Sequence, residues 1–289
     1  MRKNFMKKVV AGMLTAVMAF SLTACGGGDA STNDTAKEEG SSDVITVGFS
    51  QVGAESDWRT ANSESMKSTF SEKNGYKLIF DDAQQKQENQ IAAIRNFIQQ
   101  EVDYILLAPV TETGWDTVLQ EAKDAEIPVI IVDRMVNVSD DSLYTAWVGS
   151  NFKLEGQKAC EWLKQYAAAK NMSEVNIVDI QGTIGASAQI GRTEGFDEAV
   201  EAHDNWTTLA QQSGEFTQAK GQEVMESILK QSGDDIDVVY CENDNEAFGA
   251  IDAIKAAGYE VGGEEGQILV MSFDTTNAGL TQTLSGEIT

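Results

Sequence analysis

The sequence is poor in the residues from which metal sites and nucleophilic active sites are built. It holds three cysteines and one histidine in 289 residues, and it has no CxxC or HExxH motif. A structural zinc site needs a cluster of cysteine and histidine ligands, and a serine–histidine–aspartate triad needs a positioned histidine. Neither site has enough residues here, so we assign no metal ligand and no catalytic residue.

Basic residues are also scarce. The chain has 21 lysines and arginines against 46 aspartates and glutamates, a formal net charge of −25. Residues 1–24 contain four basic residues and no acidic one, so the charge without them is −29. Such a surface repels nucleic acid and anionic lipid headgroups, which we exclude as partners. Solubility alone accounts for the acidity.

The apolar run at residues 9–20 is too short for a membrane span, which needs about 20 residues. It follows four basic residues and precedes small ones, as in a secretory signal. The ending Leu22-Thr23-Ala24-Cys25 resembles the lipobox of bacterial lipoproteins. That resemblance implies a signal peptide over residues 1–24 and a diacylglycerol on Cys25, which tethers the mature chain to the outer face of a membrane. The alternative is an ordinary secretory signal with an incidental cysteine.

Residues 25–43 contain no large apolar side chain and are predicted to be a flexible tether. The other two cysteines, Cys160 and Cys241, fall in a helical pattern and at the end of an apolar strand. We expect two buried thiols, with a disulfide between them as the alternative.

From residue 44 onward, apolar strands alternate with amphipathic helices, which predicts an α/β fold with parallel sheets. Several strands are continuous valine, isoleucine and leucine runs, as expected for parallel strands buried on both faces. Strands are predicted at 44–50, 76–81, 104–108, 129–132, 144–148, 175–180, 207–211, 238–241 and 268–273. Helices are predicted at 87–100, 113–125, 152–170, 188–202, 218–231 and 246–257.

The strand–helix pattern restarts near residue 175, and Gly149-Ser150-Asn151 lies between the two runs. We interpret this as two Rossmann-like lobes joined by a hinge: an N-terminal lobe at 44–149 and a C-terminal lobe at 150–289. Ligands of open α/β sheets bind beyond the carboxyl ends of the strands. Two such lobes facing each other form a cleft that can close.

Polar residues follow several predicted strands, and their chemistry suits a sugar. Carboxylates and guanidinium groups can bond a pair of neighbouring hydroxyls, and an indole packs against the apolar face of a sugar ring. The candidate ligand-binding residues are Glu55, Ser56, Trp58, Arg59, Asp133, Arg134, Thr183, Arg192, Asn243 and Asp274.

Each candidate also has a plainer interpretation. Asn243 and Asp244 precede a helix and could be N-caps. Asp133 could pair locally with Arg134, Arg59 could be solvated, and Trp58 could be a buried helix residue. The remaining tryptophans lack polar neighbours and are predicted to be core residues: Trp115, Trp147, Trp162 and Trp206.

The glycine-rich segment from Gly185 to Thr193 departs from a phosphate-binding loop. It has five residues between its glycines instead of four, and Arg192 stands where that motif has lysine. We therefore reject a nucleotide site and expect no cofactor.

Longer motifs carry a family resemblance. These are VGFSQVG at 47–53, QQKQENQI at 84–91, QGTIGAS at 181–187 and GEFT at 214–217. From residue 44 to its end the chain resembles the galactofuranose-binding proteins of bacterial ABC sugar importers, which are periplasmic binding proteins of the ribose-binding type.

The resemblance implies two lobes that close on one monosaccharide and a closed form that the membrane permease recognises, in a monomeric, non-catalytic protein. It implies sugar contacts from residues 55–59, from Asp133 and Arg134, and from Arg192, Asn243 and Asp274. Galactofuranose is the ligand this resemblance favours; arabinofuranose, ribose and other aldoses stay open.

Two departures from that family matter. Its members continue with a further crossover, strand and helix, so the resemblance implies that this chain lacks its C-terminal part and leaves a sheet edge unpaired. The lipobox replaces a plain secretory signal, which favours a Gram-positive cell surface, with the periplasm as the alternative.

Other classes of function compete with transport. The same closure could signal to a chemoreceptor or a two-component kinase, and carboxylates such as Glu55 and Asp274 could in principle hydrolyse a furanoside. A sugar-responsive repressor needs a DNA-binding headpiece, and this chain has a secretion signal in that place.

Overall fold

A computed structural model describes residues 44–289 of the chain. The predicted signal peptide, Cys25 and the predicted tether lie outside the described residues. No helix between residues 44 and 289 is long and apolar enough to cross a bilayer.

The first sheet has five parallel strands in the order β2-β1-β3-β4-β5. They are β1 Ile45–Gln51, β2 Tyr76–Asp82, β3 Tyr104–Leu107, β4 Val129–Val132 and β5 Ala146–Val148. The helices between them are α1 Asp57–Thr69, α2 Gln87–Gln99 and α3 Asp116–Asp124. Side chains of α2 and α3 cover one face of the sheet in a buried cluster that includes Phe97 and Trp115. On the other face, Met66 and Phe70 at the end of α1 pack against Val47 and Phe49.

The second sheet has four parallel strands in the order β7-β6-β8-β9. They are β6 Val175–Gln181, β7 Trp206–Ser213, β8 Val238–Cys241 and β9 Leu269–Met271. The helices are α4 Phe152–Lys170, α5 Ser187–Glu201, α6 Gln218–Ser232, α7 Asp244–Ala256 and α8 Asn277–Ser285. Helices α4 and α5 cover one face of this sheet, and α6 and α7 cover the other. Both faces are therefore buried, which explains the continuous apolar runs of the strands.

The predicted α/β fold with two parallel sheets is confirmed. The chain passes from the first sheet to the second at residues 149–151, between β5 and α4. We refer to the elements of the two sheets as the first and second lobe; the boundaries at 44–149 and 150–289 stay a prediction. Strand β9 lies at an edge of its sheet, where the backbone N–H of Thr289 donates to Val270 O at 2.9 Å.

The sequence predicted no bounds for two helices, α1 and α8, although Gly75 indicated that a helix ends before it. Helix α1 buries only Arg59 and Ser63, and α8 buries only Gly279, so neither has an apolar stripe to detect. Trp147 and Trp162 correct another expectation, because each is 38% exposed instead of lying in the core. Trp115 is buried in the first lobe as expected.

The two described cysteines are buried and unbonded, as free thiols. Burial raises the pKa of the Cys160 thiol to about 12, which keeps it protonated and unreactive at neutral pH. Trp206, the remaining tryptophan, is buried in the same cluster as Cys160. The disulfide alternative is therefore absent from this structure.

Candidate functional site

A cavity of about 380 Å³ lies between the lobes, where the strands of both sheets end. Ligands of open α/β sheets bind at such ends, because the loops after the strands converge there. The lining residues come from both lobes: Glu55, Ser56, Trp58, Arg59, Asp133, Arg134, Ser150, Phe152, Glu155, Ala188, Arg192, Phe216, Asn243, Ser272, Phe273, Asp274 and Thr275.

The first lobe contributes a buried network of two arginines and two carboxylates. Glu55 Oε1 accepts from Arg59 Nε at 3.0 Å and from Arg134 Nη2 at 3.2 Å. Asp133 Oδ2 accepts from Arg59 Nη2 at 2.7 Å. Asp133 and Arg134 therefore pair with partners distant in sequence rather than with each other, and Arg59 is buried rather than solvated.

The pKa values of the two arginines shift in opposite directions, although burial lowers both. Burial lowers the pKa of the Arg59 guanidinium, but the charges of Asp133 and Glu55 outweigh it and leave that pKa above its usual value. Burial, and then the neighbouring charge of Arg59, lower the pKa of Arg134 to about 10. Both side chains stay charged at neutral pH, so the first lobe presents two fixed guanidinium groups to the cavity.

Local backbone features place this network. Ser56 caps α1, and its side chain accepts from the backbone N–H of Arg59 at 3.1 Å. Asp133 follows β4 with a φ of 64°, in the left-handed region. Its carbonyl accepts from Trp147 Nε1 at 3.1 Å and lies where a Cβ of Gly149 would be. Only glycine fits at position 149, and Trp147 supports the site instead of the core.

Arg192 is the main charged group of the second lobe. Its Nε and Nη2 donate to Glu155 Oε2 at 3.1 and 3.0 Å, and its Nη1 donates to the carbonyl of Glu242. The guanidinium carbon lies 5.3 Å from the ring centre of Phe152 and 4.6 Å from that of Phe273. Stacking between two rings and two hydrogen bonds to one carboxylate oxygen hold Arg192 in one orientation.

Asp274 follows β9 and faces Arg192. Its Oδ1 lies 3.7 Å from Arg192 Nη2. Burial raises the pKa of the Asp274 carboxyl to about 6, although the charge of Arg192 opposes the rise. Asp274 is therefore ionised at pH 7 and loses its charge in mildly acidic solution.

Two predicted site residues behave differently from the rest. Asn243 lines the cavity, but both ends of its amide are used inside the lobe. Its Oδ1 caps α7 by accepting from Glu246 N at 2.8 Å, and its Nδ2 donates to Phe216 O at 3.1 Å. Thr183 is not a lining residue; its hydroxyl donates to Glu215 O at 3.3 Å. The other eight candidates line the cavity.

Eight lining residues were not predicted from the sequence, and they include three phenylalanines and one glutamate. Phe152 and Glu155 lie in the first turn of α4, Phe273 precedes Asp274, and Phe216 lies 4.9 Å from the guanidinium carbon of Arg134. Phe152 and Glu155 are three residues apart on a predicted helix, and this spacing was the signal available. Phe216 and Phe273 read as ordinary apolar residues in the sequence.

The lobes contact each other directly outside the cavity. The backbone N–H of Asp57 donates to Asn245 Oδ1 at 3.0 Å, and that of Met135 donates to Ser187 Oγ at 2.7 Å. Glu112 N also donates to Gly185 O at 2.7 Å. These contacts join the first lobe to the second, so the structure represents a closed arrangement of the cleft.

The cavity is therefore a polar enclosure with aromatic walls. Three guanidinium groups and four carboxylates can donate to and accept from a ligand with many hydroxyls, while Trp58 and the phenylalanines cover its apolar faces. Within residues 44–289, no group of three or more histidine, cysteine, aspartate or glutamate residues is arranged to hold a metal ion.

Comparisons with known proteins agree with this geometry. A family model described as the periplasmic binding protein domain matches residues 47–289. The galactofuranose-binding protein YtfQ of Escherichia coli is 50% identical over 220 residues, which are 75% of this chain and 68% of that protein.

Two solved structures extend the comparison. A galactofuranose binding protein superposes with a TM-score of 0.80 at 47% identity, covering 84% of this chain and 81% of the other. The binding protein of the arabinose ABC transporter of Shewanella, bound to α- and β-L-arabinofuranose, gives 0.78 at 46% identity, covering 84% and 78%. The resemblance seen in the sequence motifs is confirmed, and the chain belongs to the periplasmic binding protein family.

Proposed function

We propose that this protein is the extracytoplasmic sugar receptor of an ABC importer and that it binds one monosaccharide in the furanose form. It closes its two lobes on the sugar and delivers it to the membrane permease without catalysing a reaction. The relatives named above are proteins for galactofuranose and L-arabinofuranose, which supports a furanose over a pyranose ring.

One observation carries the proposal: a single cavity is bounded by arginine–carboxylate networks from both lobes. In the first network, Arg59 Nη1 and Glu55 Oε2 are buried without a hydrogen-bond partner among the described residues. An unpaired buried polar group costs about 1–3 kcal/mol, so a closed cleft needs a ligand or water rich in hydrogen-bonding groups. A sugar meets this need, and an apolar ligand does not.

Closure follows from the division of the contacts between the lobes. A ligand held by Arg59, Asp133 and Arg134 on one side and by Arg192 and Asp274 on the other makes all of its contacts only when the lobes meet. Its affinity is therefore higher for the closed state, and binding shifts the population toward that state.

The arrangement of Glu55 favours binding over hydrolysis. A retaining glycosidase needs one carboxylate free to attack the sugar and a second carboxyl to protonate the leaving group. Glu55 Oε1 is shared by Arg59 and Arg134, so two cations neutralise this carboxylate and its charge orients them as donors.

The N-terminal sequence supports a location outside the cytoplasm. We propose that Cys25 carries the lipid after cleavage of residues 1–24 and that the chain works as a monomer on the outer face of the membrane of a Gram-positive cell. Residues 25–43 then act as the spacer between membrane and receptor.

Calorimetry on the chain from Cys25 to Thr289 tests the proposal. The titrants are D-galactofuranose and L-arabinofuranose, supplied as methyl furanosides that cannot change ring size, and the matching methyl pyranosides. We expect saturable heat and a higher melting temperature with a furanoside, and neither with its pyranoside. Preference for a pyranoside would refute the furanose assignment. Release of methanol during incubation would refute the non-catalytic role.

A further inference from the structure

The carboxylate of Asp244 is buried near the cavity but does not line it. Asp244 is the first residue of α7 and is 2% exposed. Sequence reasoning left open whether it caps this helix. The structure gives that role to its neighbour, because Asn243 Oδ1 accepts from Glu246 N. The Asp244 side chain is therefore available for another role.

Asp244 accepts three hydrogen bonds from the loop after β9. Its Oδ1 accepts from Ser272 Oγ at 2.6 Å, and its Oδ2 accepts from Thr276 N at 2.7 Å and Thr276 Oγ1 at 2.8 Å. Ser272 and Thr276 lie two residues before and two residues after Asp274. One carboxylate thus fixes both ends of the five-residue loop that carries Asp274 into the cavity.

The loop needs such support because its backbone is strained. Asp274 has a φ of 87° and Thr275 a φ of 58°, both in the left-handed region and neither a glycine. Residues in such conformations persist only where the surrounding structure holds them. The hydrogen bonds to Asp244 supply that hold on both sides.

The Asp244 carboxylate is packed closely against the start of α8. A Cβ at Gly279, in the first turn of α8, would overlap Asp244 Oδ2. Thr276 is the N-cap of the same helix, and its Oγ1 accepts from Gly279 N at 3.1 Å. Asp244 therefore locks the start of α8 and the loop before it as one unit.

We propose that Asp244 is a positioning residue for ligand binding: it holds the loop from Ser272 to Thr276 so that the Asp274 carboxylate faces Arg192 and the sugar. This inference rests on the proposed function. It adds a residue that acts on the ligand through Asp274 and makes no ligand contact itself.

Asp244→Asn is the direct test, because it keeps the size of the side chain but replaces one of the two acceptor oxygens with an N–H₂ group. The amide cannot accept all three hydrogen bonds that the carboxylate accepts. We expect at least tenfold weaker binding of the furanoside that the wild-type protein binds. In an Asp274→Asn background, Asp244→Asn should cost no further affinity. Equal losses in both backgrounds, or wild-type affinity in the single variant, would overturn the positioning role.

The pH profile separates the positioning role from an effect of the Asp244 charge alone. The charges of Asp244 and Asp133 raise the pKa of Asp274 beyond the effect of burial, while Arg192 and Arg59 lower it. Loss of the Asp244 charge alone would move the acid midpoint of binding to lower pH. A released loop takes Asp274 away from Arg192, whose charge lowers its pKa, so the positioning role predicts that the midpoint does not fall. A midpoint moved to lower pH, as loss of charge alone would give, would contradict the proposal.

Two further variants guard against misfolding and nonspecific effects. Thr276→Val removes one of the three hydrogen bonds to Asp244, together with the N-cap bond from Gly279 N, and should weaken binding less than Asp244→Asn. Asp116→Asn is the matched control, because Asp116 in the first lobe also accepts from a backbone N–H and a hydroxyl of one residue, Ser139, far from the cavity. Its affinity should equal that of the wild type.

Hydrogen exchange separates this inference from the proposed function. In the ligand-free protein, the Thr276 amide should exchange faster in Asp244→Asn than in the wild type, whichever sugar the protein binds. Equal protection would refute the support of the loop. If the wild type binds no furanoside but the Thr276 amide exchanges faster in the variant, the proposed ligand and the role of Asp244 in binding it are refuted. The support of the loop by Asp244 then still holds.

Discussion

The direct contacts between the lobes predict that residues outside the cavity control affinity. Asn245 and Ser187 each accept a backbone N–H from the opposite lobe, and neither lines the cavity. Both contacts require a closed cleft, because Asp57 and Met135 belong to the first lobe and their acceptors to the second. We expect Asn245→Ala and Ser187→Ala to weaken sugar binding by making closure less favourable.

The magnitude follows from the exchange of one hydrogen bond for water. In the open state each N–H can bond to solvent, so the net contribution of each contact is about 0.5–1.5 kcal/mol. Since 1.4 kcal/mol corresponds to a tenfold change, each variant should bind about 2- to 10-fold more weakly. The residues contact different parts of the first lobe, so the double variant should lose about the product of the two factors.

Calorimetry gives the affinities, and stopped-flow fluorescence gives the rates. We expect the loss mainly as faster dissociation, because the contacts form after the sugar has entered the cleft. Asn74→Ala is the control, since its Nδ2 donates to Ser68 O and Thr69 O within the first lobe. Affinities of both variants equal to that of the wild type would refute the reasoning, and so would an equal loss in the control.

The remaining predictions concern charge and anchoring. Arg134→Ala should weaken binding about 10- to 150-fold, the cost of about 1.5–3 kcal/mol for a hydrogen bond to a charged group, while circular dichroism stays unchanged because Arg59 still pairs with Glu55. Wild-type affinity by calorimetry would contradict its role. Sugar affinity should fall roughly tenfold between pH 7 and pH 5. Burial raises the pKa of Asp274 to about 6, so protonation in this range removes the charge that faces Arg192. Calorimetry at both pH values measures the change, and equal affinities would refute the prediction. In the expressing cell, Cys25→Ala should move the protein from the detergent phase to the aqueous phase of a partition assay; retention in the detergent phase would exclude Cys25 as the anchor.

Much of the fold could be predicted, because the apolar residues that recur at strand or helix spacing in the sequence are the residues that are buried in the structure. Strands β4 and β8 and helix α4 lie at their predicted positions, since each is an apolar run or stripe bounded by polar residues. The α/β architecture with parallel sheets followed from strands buried on both faces. The bounds of helix α1 could not be predicted, because its buried residues Arg59 and Ser63 carry no hydrophobic signal and its apolar contacts are confined to Met66 and Phe70 near its end.

The position of the site could be predicted from the sequence, but the ion pairs between its charged side chains could not. Sequence order and the carboxyl-end rule place Glu55, Asp133 and Arg134 at one sheet edge. They do not reveal that Asp133 pairs with Arg59, 74 positions away, instead of with its neighbour. Asp133 also has a left-handed backbone conformation, which the sequence does not indicate at a residue other than glycine. Aromatic walls such as Phe216 are equally hidden, because a phenylalanine in a core has the same sequence context.

Two opposing free-energy contributions in the cleft explain how ligand binding can drive a change from the open to the closed state. Three hydrogen bonds between the lobes favour closure by about 0.5–1.5 kcal/mol each. Closing without ligand also leaves Arg59 Nη1 and Glu55 Oε2 buried and unpaired, at about 1–3 kcal/mol each. These opposing sums are of similar size, so on these terms alone neither the open nor the closed state of the empty protein is strongly favoured. A ligand that bonds to both unpaired groups removes their cost, while the hydrogen bonds between the lobes remain. A ligand that bonds to only one of them shifts the equilibrium less toward the closed state. Selectivity for one sugar then follows from how completely its hydroxyls satisfy the groups that closure buries.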